Sequence, residues 1–232
     1  MTTEPPAPSP DASDPEARGM RLRAVLLVLT AVSGLIDAVS FLSLGQVFTA
    51  NMTGNVVILG FAAAGAPGFS VAHTVTSLMA FLAGATAGGR IAARFRGGSR
   101  RTWTRVALAM EAVLVGSAAV VAFARPGTTG TAYTIIALSA FAIGLRNATV
   151  RKLSVPDLTT TVLTMTLTGL VAESPLGSNT ERRARRRICA VLSLTAGGAL
   201  GAWLVLHQSL GIPLLLAALT SGVLAVMASG RE

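Results

Sequence analysis

Asp37 is the residue whose type and setting most directly suggest chemistry. It stands within the apolar run Gly34-Leu35-Ile36-Asp37-Ala38. A carboxylate inside an apolar segment is costly unless it faces a cavity or a partner. Two interpretations are open. Asp37 is part of a solute, cation or proton site, or it is a structural hydrogen-bonding group that ties its helix to the next segment.

A second polar stretch follows, Phe48-Thr49-Ala50-Asn51-Met52-Thr53-Gly54-Asn55. Its amides and hydroxyls alternate with apolar residues, and Gly54 lets the backbone turn. Asn51 and Asn55 are four residues apart and would share one helix face. Non-helical backbone at membrane depth is tolerated only where it is buried in protein or lines water. The stretch therefore indicates a neutral, hydrogen-bonding filter or solute pocket, and polar packing between helices is the alternative.

Related residues recur later in the chain. Asn147 occupies the position of Asp37 in Gly144-Leu145-Arg146-Asn147-Ala148, and Thr160, Thr164 and Thr168 then form a stripe at helical spacing. Threonines in apolar helices often bond back to their own carbonyl groups, so the stripe can also be structural. The predicted solute-binding residues are Asp37, Asn51, Thr53, Asn55, Asn147, Thr160 and Thr164.

The depth of the charged residues predicts an ion pair. Arg146 lies four residues from the inner end of its apolar segment and Glu111 five from the inner end of its own. Both would therefore sit roughly 6–8 Å below the cytoplasmic interface, whereas Asp37 would lie about 10 Å or more from the depth of Arg146. We expect Arg146 to pair with Glu111 and not with Asp37.

The elements that must position these residues are membrane helices. Hydrophobic residues make up 52% of the chain and charged residues 12%, against about 25% charged residues in soluble proteins. This composition excludes an ordinary soluble enzyme, a disordered protein and a coiled coil. The apolar segments lie near Ala24–Leu44, Val47–Ala64, Val71–Ala93, Val106–Ala124, Ala132–Val150, Leu158–Ala172, Ile188–Leu206 and Ile212–Ala228.

The second and sixth segments begin with polar stretches, and their apolar parts are only about half of the roughly 20 residues that a span needs. If neither of them changes sides, 18 of the 19 positively charged residues face the cytoplasm and only Arg125 is external. If all eight segments span, the positive residues divide 10 to 9. The positive-inside rule favours the first arrangement. We predict an all-α membrane protein with six transmembrane helices, two re-entrant or half-spanning segments and both termini cytoplasmic.

The domain organisation follows from the same reading. Residues 1–17 hold five prolines and four acids, which predicts a disordered cytoplasmic tail. Residues 18–232 form a single helical membrane domain, with repeat halves near 20–125 and 131–229. Gly84 and Gly88 in the first half match Gly197 and Gly201 in the second, and both pairs permit close helix contact. Three spans in each half would make the repeat an inverted one.

Few other residues suggest a chemical role. His73 and His207 are far apart in sequence without a ligand spacing, and the single cysteine, Cys189, reads as a packing residue. We expect no metal, no cofactor and no enzymatic activity. The net charge of +9 reflects cytoplasmic loops and not nucleic-acid binding. The expected partners are the lipid bilayer and an unknown small polar solute. The sequence leaves open whether the protein forms a homo-oligomer.

The runs around Asp37 and Asn51-Met52-Thr53-Gly54-Asn55, with their counterpart around Asn147, resemble the YoaK family of bacterial integral membrane proteins (domain of unknown function 1275). The resemblance covers about residues 20–228. Arg146 departs from it, because many members have Gln there. The resemblance implies a plasma-membrane location and a multi-span helical fold, and it implies no substrate.

A small-solute permease or channel-like transporter is the function that these residues predict. We expect Asp37, Asn51 and Asn55 to line an outward-opening vestibule, and the Thr stripe to line an inward one. One carboxylate among neutral donors and acceptors suits a polar neutral or cationic solute, with or without proton coupling. The alternative is a non-transporting membrane assembly or signalling protein, and an intramembrane enzyme comes third.

Overall fold

The computed structural model describes residues 15–94, 100–152, 163–172 and 184–227, and this part of the chain is helical apart from its turns. The all-α membrane fold is therefore confirmed. The helices are α1 (Pro15–Ser43), α2 (Met52–Ala63), α3 (Val71–Arg94), α4 (Arg100–Ala124), α5 (Thr129–Lys152), α6 (Leu163–Ala172), α7 (Ala184–His207) and α8 (Gly211–Met227).

Five helices, α1, α3, α4, α5 and α7, are long and apolar enough to cross a membrane. Helix α8 has 17 residues, which is the lower end of the length that spans a bilayer. Helix α2 has 12 residues and is too short. For α6 the described helix is 10 residues, and the residues on either side of it lie outside the described part of the chain. Within that part, six longer apolar helices and two shorter ones match the predicted division.

The helix boundaries differ from the apolar segments in a systematic way. The long helices extend beyond their apolar runs, because polar residues at the ends continue the helical hydrogen bonding. Helix α1 begins at Pro15, three residues inside the predicted tail. Helix α2, by contrast, begins five residues after the start of its apolar run. Residues 47–51 are non-helical there.

Helix α2 returns the chain to the end of α1 from which it departed. A Cβ on Gly45, just beyond α1, would lie 2.5 Å from Nδ1 of His73 at the start of α3. A Cβ on Gly68, before α3, would lie 3.2 Å from Gln46. The end of α1 and the start of α3 are therefore neighbours, which is the geometry of a re-entrant segment.

The core lies between α1, α4, α5 and α8, and its centre includes Ile36, Val115, Ile143 and Leu214. Helices α3 and α7 lie outside this centre, since only 22% and 17% of their spans are buried against 56% for α1. The main packing pairs are α1 with α7, α3 with α5, and α4 with α8. Helix α2 packs on α3, and α6 packs on α7.

The two halves of the chain repeat the same glycine contacts. Side chains at Gly84 and Gly197 would collide with the carbonyl oxygens of Phe141 and Ala31, respectively. Side chains at Gly34 and Gly144 would collide with the backbones of α7 and α3. Gly88 faces Leu145 and Ala148, and Gly201 faces Leu35 and Ala38. Each half therefore uses equivalent residues to bring its first long helix against the other half.

Candidate functional site

Asp37 holds the non-helical backbone that leads into α2. Its Oδ1 accepts hydrogen bonds from the amides of Thr49 at 2.9 Å and Ala50 at 2.7 Å, and its Oδ2 accepts one from the amide of Asn51 at 3.1 Å. The Thr49 hydroxyl lies 3.5 Å from Oδ1. These amides belong to the non-helical residues before α2, where a backbone N–H group has no partner within a helix and must find one elsewhere if it is buried. The structural interpretation of Asp37 is thus realised, and the carboxylate anchors the start of α2.

Asn55 anchors the same loop from the other side. Its Oδ1 accepts from the amide of Phe48 at 2.8 Å, and its Nδ2 donates to the Phe48 carbonyl at 2.6 Å. Ser77 of α3 joins this group, because its hydroxyl also donates to the Phe48 carbonyl. Asn55 is fully buried and does not line the vestibule. The prediction that it does was wrong: α2 turns this side chain toward α3, where it satisfies backbone groups that would otherwise be buried without partners.

A cavity of about 600 Å³ lies beside Asp37. Its walls come from α1, the loop before α2, α2 itself, α6 and α7. The cavity brings together four of the predicted residues, Asp37, Asn51, Thr53 and Thr164. The rest of its lining is Ser33, Gly34, Ala38, Phe41, Leu42, Phe48, Ala50, Gly54, Val57, Leu194 and Gly198.

The polar groups in this cavity retain hydrogen-bonding capacity. Asp37 is partly exposed, and its Oδ2 accepts one bond, from the Asn51 amide. Asn51 caps α2, with its Oδ1 accepting from the amide of Gly54 at 3.2 Å. This bond orients the side-chain amide of Asn51, whose Nδ2 group can donate elsewhere. Asn51, Thr53 and Thr164 are exposed side chains. A carboxylate oxygen, an amide and two hydroxyls are therefore available to a polar ligand.

The threonine stripe is only partly described. Thr160 lies outside the described residues, and so does the rest of the polar start of its segment, residues 158–162. Thr164 lines the cavity beside Asp37, and the inward vestibule expected for the stripe stays a prediction, because Thr160 and its neighbours are not described. The Thr168 hydroxyl donates to the Thr164 carbonyl at 2.9 Å, while Thr166 on the other face is buried. The start of α6 approaches α1 closely enough to share its cavity.

Asn147 occupies a setting like that of Asp37. Residues 31–40 and 141–150 follow the same pattern of burial position by position, with Asp37 and Asn147 both partly exposed in largely buried stretches. Asn147 does not line the cavity. Its Nδ2 is buried and has no hydrogen-bond partner among the described residues. The two residues are therefore equivalent in the fold but do not share a site.

Arg146 and Glu111 form the predicted pair across α5 and α4. Nη1 of Arg146 lies 2.8 Å from Oε1 of Glu111, and both side chains are buried. Nη2 of Arg146 donates to the hydroxyl of Ser33, one turn before Asp37 in α1. Ser221 of α8 lies beside the Glu111 carboxylate. The pair therefore joins the four central helices and reaches the wall of the cavity through Ser33.

Sequence reasoning missed several residues that the structure brings into play. Ser33 and Ser77 gave no signal beyond being hydroxyls within apolar runs. Phe41 and Phe48 stack at 4.8 Å between ring centroids and lie in the cavity wall. Arg187 is buried near the start of α7, and a Cβ on Gly169 would lie 2.6 Å from its guanidinium. A glycine in α6 makes room for that side chain.

The two histidines lie apart from the cavity. His73 contacts the ring of Tyr133, and His207 stacks on Trp203. Among the described residues, no three His, Cys, Asp or Glu side chains are grouped as a metal site would require. Cys189 is exposed.

Comparisons with known proteins agree with the fold. The family profile of the Protein of unknown function (DUF1275) matches residues 25–227. The chain is similar to the UPF0700 transmembrane protein YoaK of Bacillus subtilis (strain 168), with 36% identity over 152 residues. That match covers 64% of this chain and 64% of the relative. No solved structure matches. The chain belongs to the DUF1275 family of membrane proteins, as its resemblance to the YoaK family indicated.

Proposed function

We propose that this protein is a small-solute permease of the plasma membrane, and that it binds its solute in the cavity beside Asp37 without changing it chemically. The observation that carries the proposal is that one cavity collects Asp37 from α1, Asn51 and Thr53 from the start of α2, and Thr164 from the first described turn of α6. Ligand pockets are concave and largely apolar, with a few convergent polar groups. A volume of about 600 Å³ suits a small organic solute better than a bare ion.

The relation between the two halves supports this proposal. The equivalent glycine contacts and matched burial patterns are what an internal repeat produces. Three long helices in each half would place the repeats in opposite orientations. Inverted repeats with interrupted helices that meet near the midplane are a recurring plan of secondary transporters. Such a repeat offers two similar packings, and exchange between them would open the cavity to either side.

The charges around the cavity indicate which solutes fit. Arg146 is engaged by Glu111 and Ser33, so its charge is not offered to a ligand. Asp37 contributes a carboxylate, and hydrogen bonds from three backbone amides reduce the free-energy cost of burying its charge. Asn51 and the threonines contribute neutral groups. A polar neutral or cationic solute is therefore favoured over an anion.

Thr53 and Thr164 provide the sharpest test of this site. Both line the cavity and are exposed, whereas Asp37 also anchors backbone and its replacement would alter structure as well as binding. Thr53→Val and Thr164→Val keep the shape and remove a hydroxyl. We expect each to slow solute flux into proteoliposomes about 5–10-fold, the equivalent of one lost hydrogen bond. Flux would be measured over a panel of small amines, amides and polyols, including amines that carry an apolar body.

Thr76→Val is the matched control. Thr76 is partly exposed on α3, its hydroxyl donates to the Ala72 carbonyl, and it is not part of the cavity wall. We expect its flux to equal that of the unaltered protein. If no solute of the panel crosses faster than through empty liposomes, the permease proposal fails and a non-transporting role takes its place. If flux occurs but neither cavity variant changes it, transport uses another path.

A further inference from the structure

We infer that the solute of this cavity is an amphipathic amine, with a nitrogen at Asp37 and an aromatic or branched apolar body directed toward the end of α1. This inference rests on the proposed function and adds the chemical class of the solute. It depends on the order of polar and apolar residues along the cavity wall. On both α1 and α2 the polar residues come first and the apolar residues follow toward the same end of the cavity.

The first wall is a stripe along α1. Ser33 and Asp37 come first, and Phe41 and Leu42 follow one turn later. Successive turns of a helix are about 5.4 Å apart. The polar part of this wall is therefore the deeper one, and the apolar part is nearer the end of α1 at Ser43.

The second wall repeats this order along α2. Asn51 and Thr53 stand at the start of the helix, and Val57 follows one turn later. The start of α2 is fixed at Asp37, and the chain beyond its end returns to Gln46, next to the end of α1. Helix α2 thus runs from the level of Asp37 toward the end of α1. Both walls are polar at one level and apolar at the other.

Two phenylalanine rings strengthen the apolar level. Phe41 and Phe48 stack with an angle of 21° between their planes. The Phe48 backbone is fixed by Asn55 and Ser77, so its ring is well positioned. Aromatic side chains bind both other rings and cations. A hydrophilic solute would leave this part of the cavity without a matching contact.

The head group follows from the acceptors at the polar level. Asp37 carries the charge, and the salt bridge found in the described residues, between Arg146 and Glu111, does not include it. Its Oδ2 can accept a further bond, and the Thr53 hydroxyl can accept as well as donate. An ammonium group can donate to both, and its positive charge complements the Asp37 carboxylate. A carboxylate head would instead oppose Asp37.

Four matched probes separate the contributions of head and body. They are 2-phenylethylamine, ethylamine, 2-phenylethanol and 3-phenylpropionate, each used with the purified full-length protein in nanodiscs. Binding would be measured by equilibrium dialysis and corrected with empty nanodiscs. We expect 2-phenylethylamine to bind at least about tenfold more tightly than ethylamine, because binding removes its ring from water. We expect the same margin over 3-phenylpropionate, because the charge of that head group is reversed. 2-Phenylethanol should be intermediate.

Variants assign the two ends of the ligand. Phe41→Ala should weaken 2-phenylethylamine binding about 5–10-fold with a smaller effect on ethylamine, whereas Thr53→Val should weaken both amines. Thr76→Val should change neither. Phe41→Leu, which keeps apolar volume, gives a second test if Phe41→Ala lowers the thermal stability of the protein.

The outcomes distinguish this inference from the permease proposal. Equal affinity for 2-phenylethylamine and ethylamine, or preference for the acid, would overturn the amphipathic amine. If hydrophilic solutes still crossed in a way that depended on Thr53 and Thr164, the permease proposal would stand. If none of the four probes bound and no panel solute crossed, both would fail.

Discussion

Asp37 combines two roles that the sequence presents as alternatives. Its carboxylate anchors three backbone amides at the start of α2 and also faces the cavity. The type of residue and its apolar surroundings could be predicted from the sequence. The three contacts could not, because they depend on how the loop at Thr49–Asn51 folds back, which follows from Asn55 and Ser77 on other elements.

The Arg146–Glu111 pair can be tested by removing one or both partners. Leaving one charge of a buried pair without its partner costs about 3–5 kcal/mol. Glu111→Ala should therefore lower the thermal unfolding temperature strongly. Glu111→Ala combined with Arg146→Ile should recover part of the loss, since the equivalent position in the first half is already an isoleucine, Ile36. Unfolding would be followed in detergent by circular dichroism. A double variant no more stable than Glu111→Ala would contradict the pair as a stabilising unit.

At the scale of the helices, glycine decides how closely they approach. A Cβ added at Gly84 or Gly197 would collide with a backbone carbonyl group of α5 or α1, respectively. A flexible side chain could move out of the way, but the backbone of a packed helix cannot. The sequence identified these glycines from their spacing alone. It could not identify their partners, because a small-residue stripe does not say which helix it contacts. Nor could it place Thr164 in the cavity beside Asp37, since that requires the packing of α6 on α7.

Alanine at these glycines should separate the helix pairs. Gly84→Ala and Gly197→Ala should each destabilise the protein by about 1–3 kcal/mol, because overpacking forces backbone shifts. Gly89→Ala is the control: it lies on the same helix as Gly84, and nothing stands within 4 Å of an added Cβ. Alanine there should be neutral or stabilise by up to about 1 kcal/mol, since it favours helix. Thermal unfolding in detergent measures all three, and equal effects at Gly84 and Gly89 would refute this account of the contact.

The molecule as a whole has a framework of equivalent glycine contacts in its two halves, with different residues around them. The first long helix of each half crosses the third element of the other half through equivalent glycines. The two halves differ in their charged residues. Asp37 corresponds to Asn147, and Ile36 corresponds to the ion-paired Arg146. The first half thus supplies the carboxylate to a cavity that both halves line, while the second half supplies the buried cation that joins the central helices.

The orientation of this framework in the membrane is the last prediction, and three positions decide it. With six spans and a cytoplasmic amino terminus, Pro67 between α2 and α3 and Pro126 between α4 and α5 face outward, and Ser99 between α3 and α4 faces inward. With eight spans, all three assignments reverse. Pro67→Cys, Ser99→Cys and Pro126→Cys would be made in a Cys189→Ser background, because Cys189 is exposed. Single-cysteine proteins would be treated with an impermeant maleimide in intact cells.

We expect labelling at Pro67→Cys and Pro126→Cys, and protection at Ser99→Cys until the cells are opened. The physical reason is the arrangement of the charges: it places 18 of the 19 positive residues on one side. The proximity of Gly45 to His73 requires α2 to return to the side from which it entered. Ser178→Cys, before α7, should be protected like Ser99→Cys. Labelling at Ser99→Cys from outside, with protection at Pro67→Cys, would show that α2 crosses the membrane and would overturn the six-span topology.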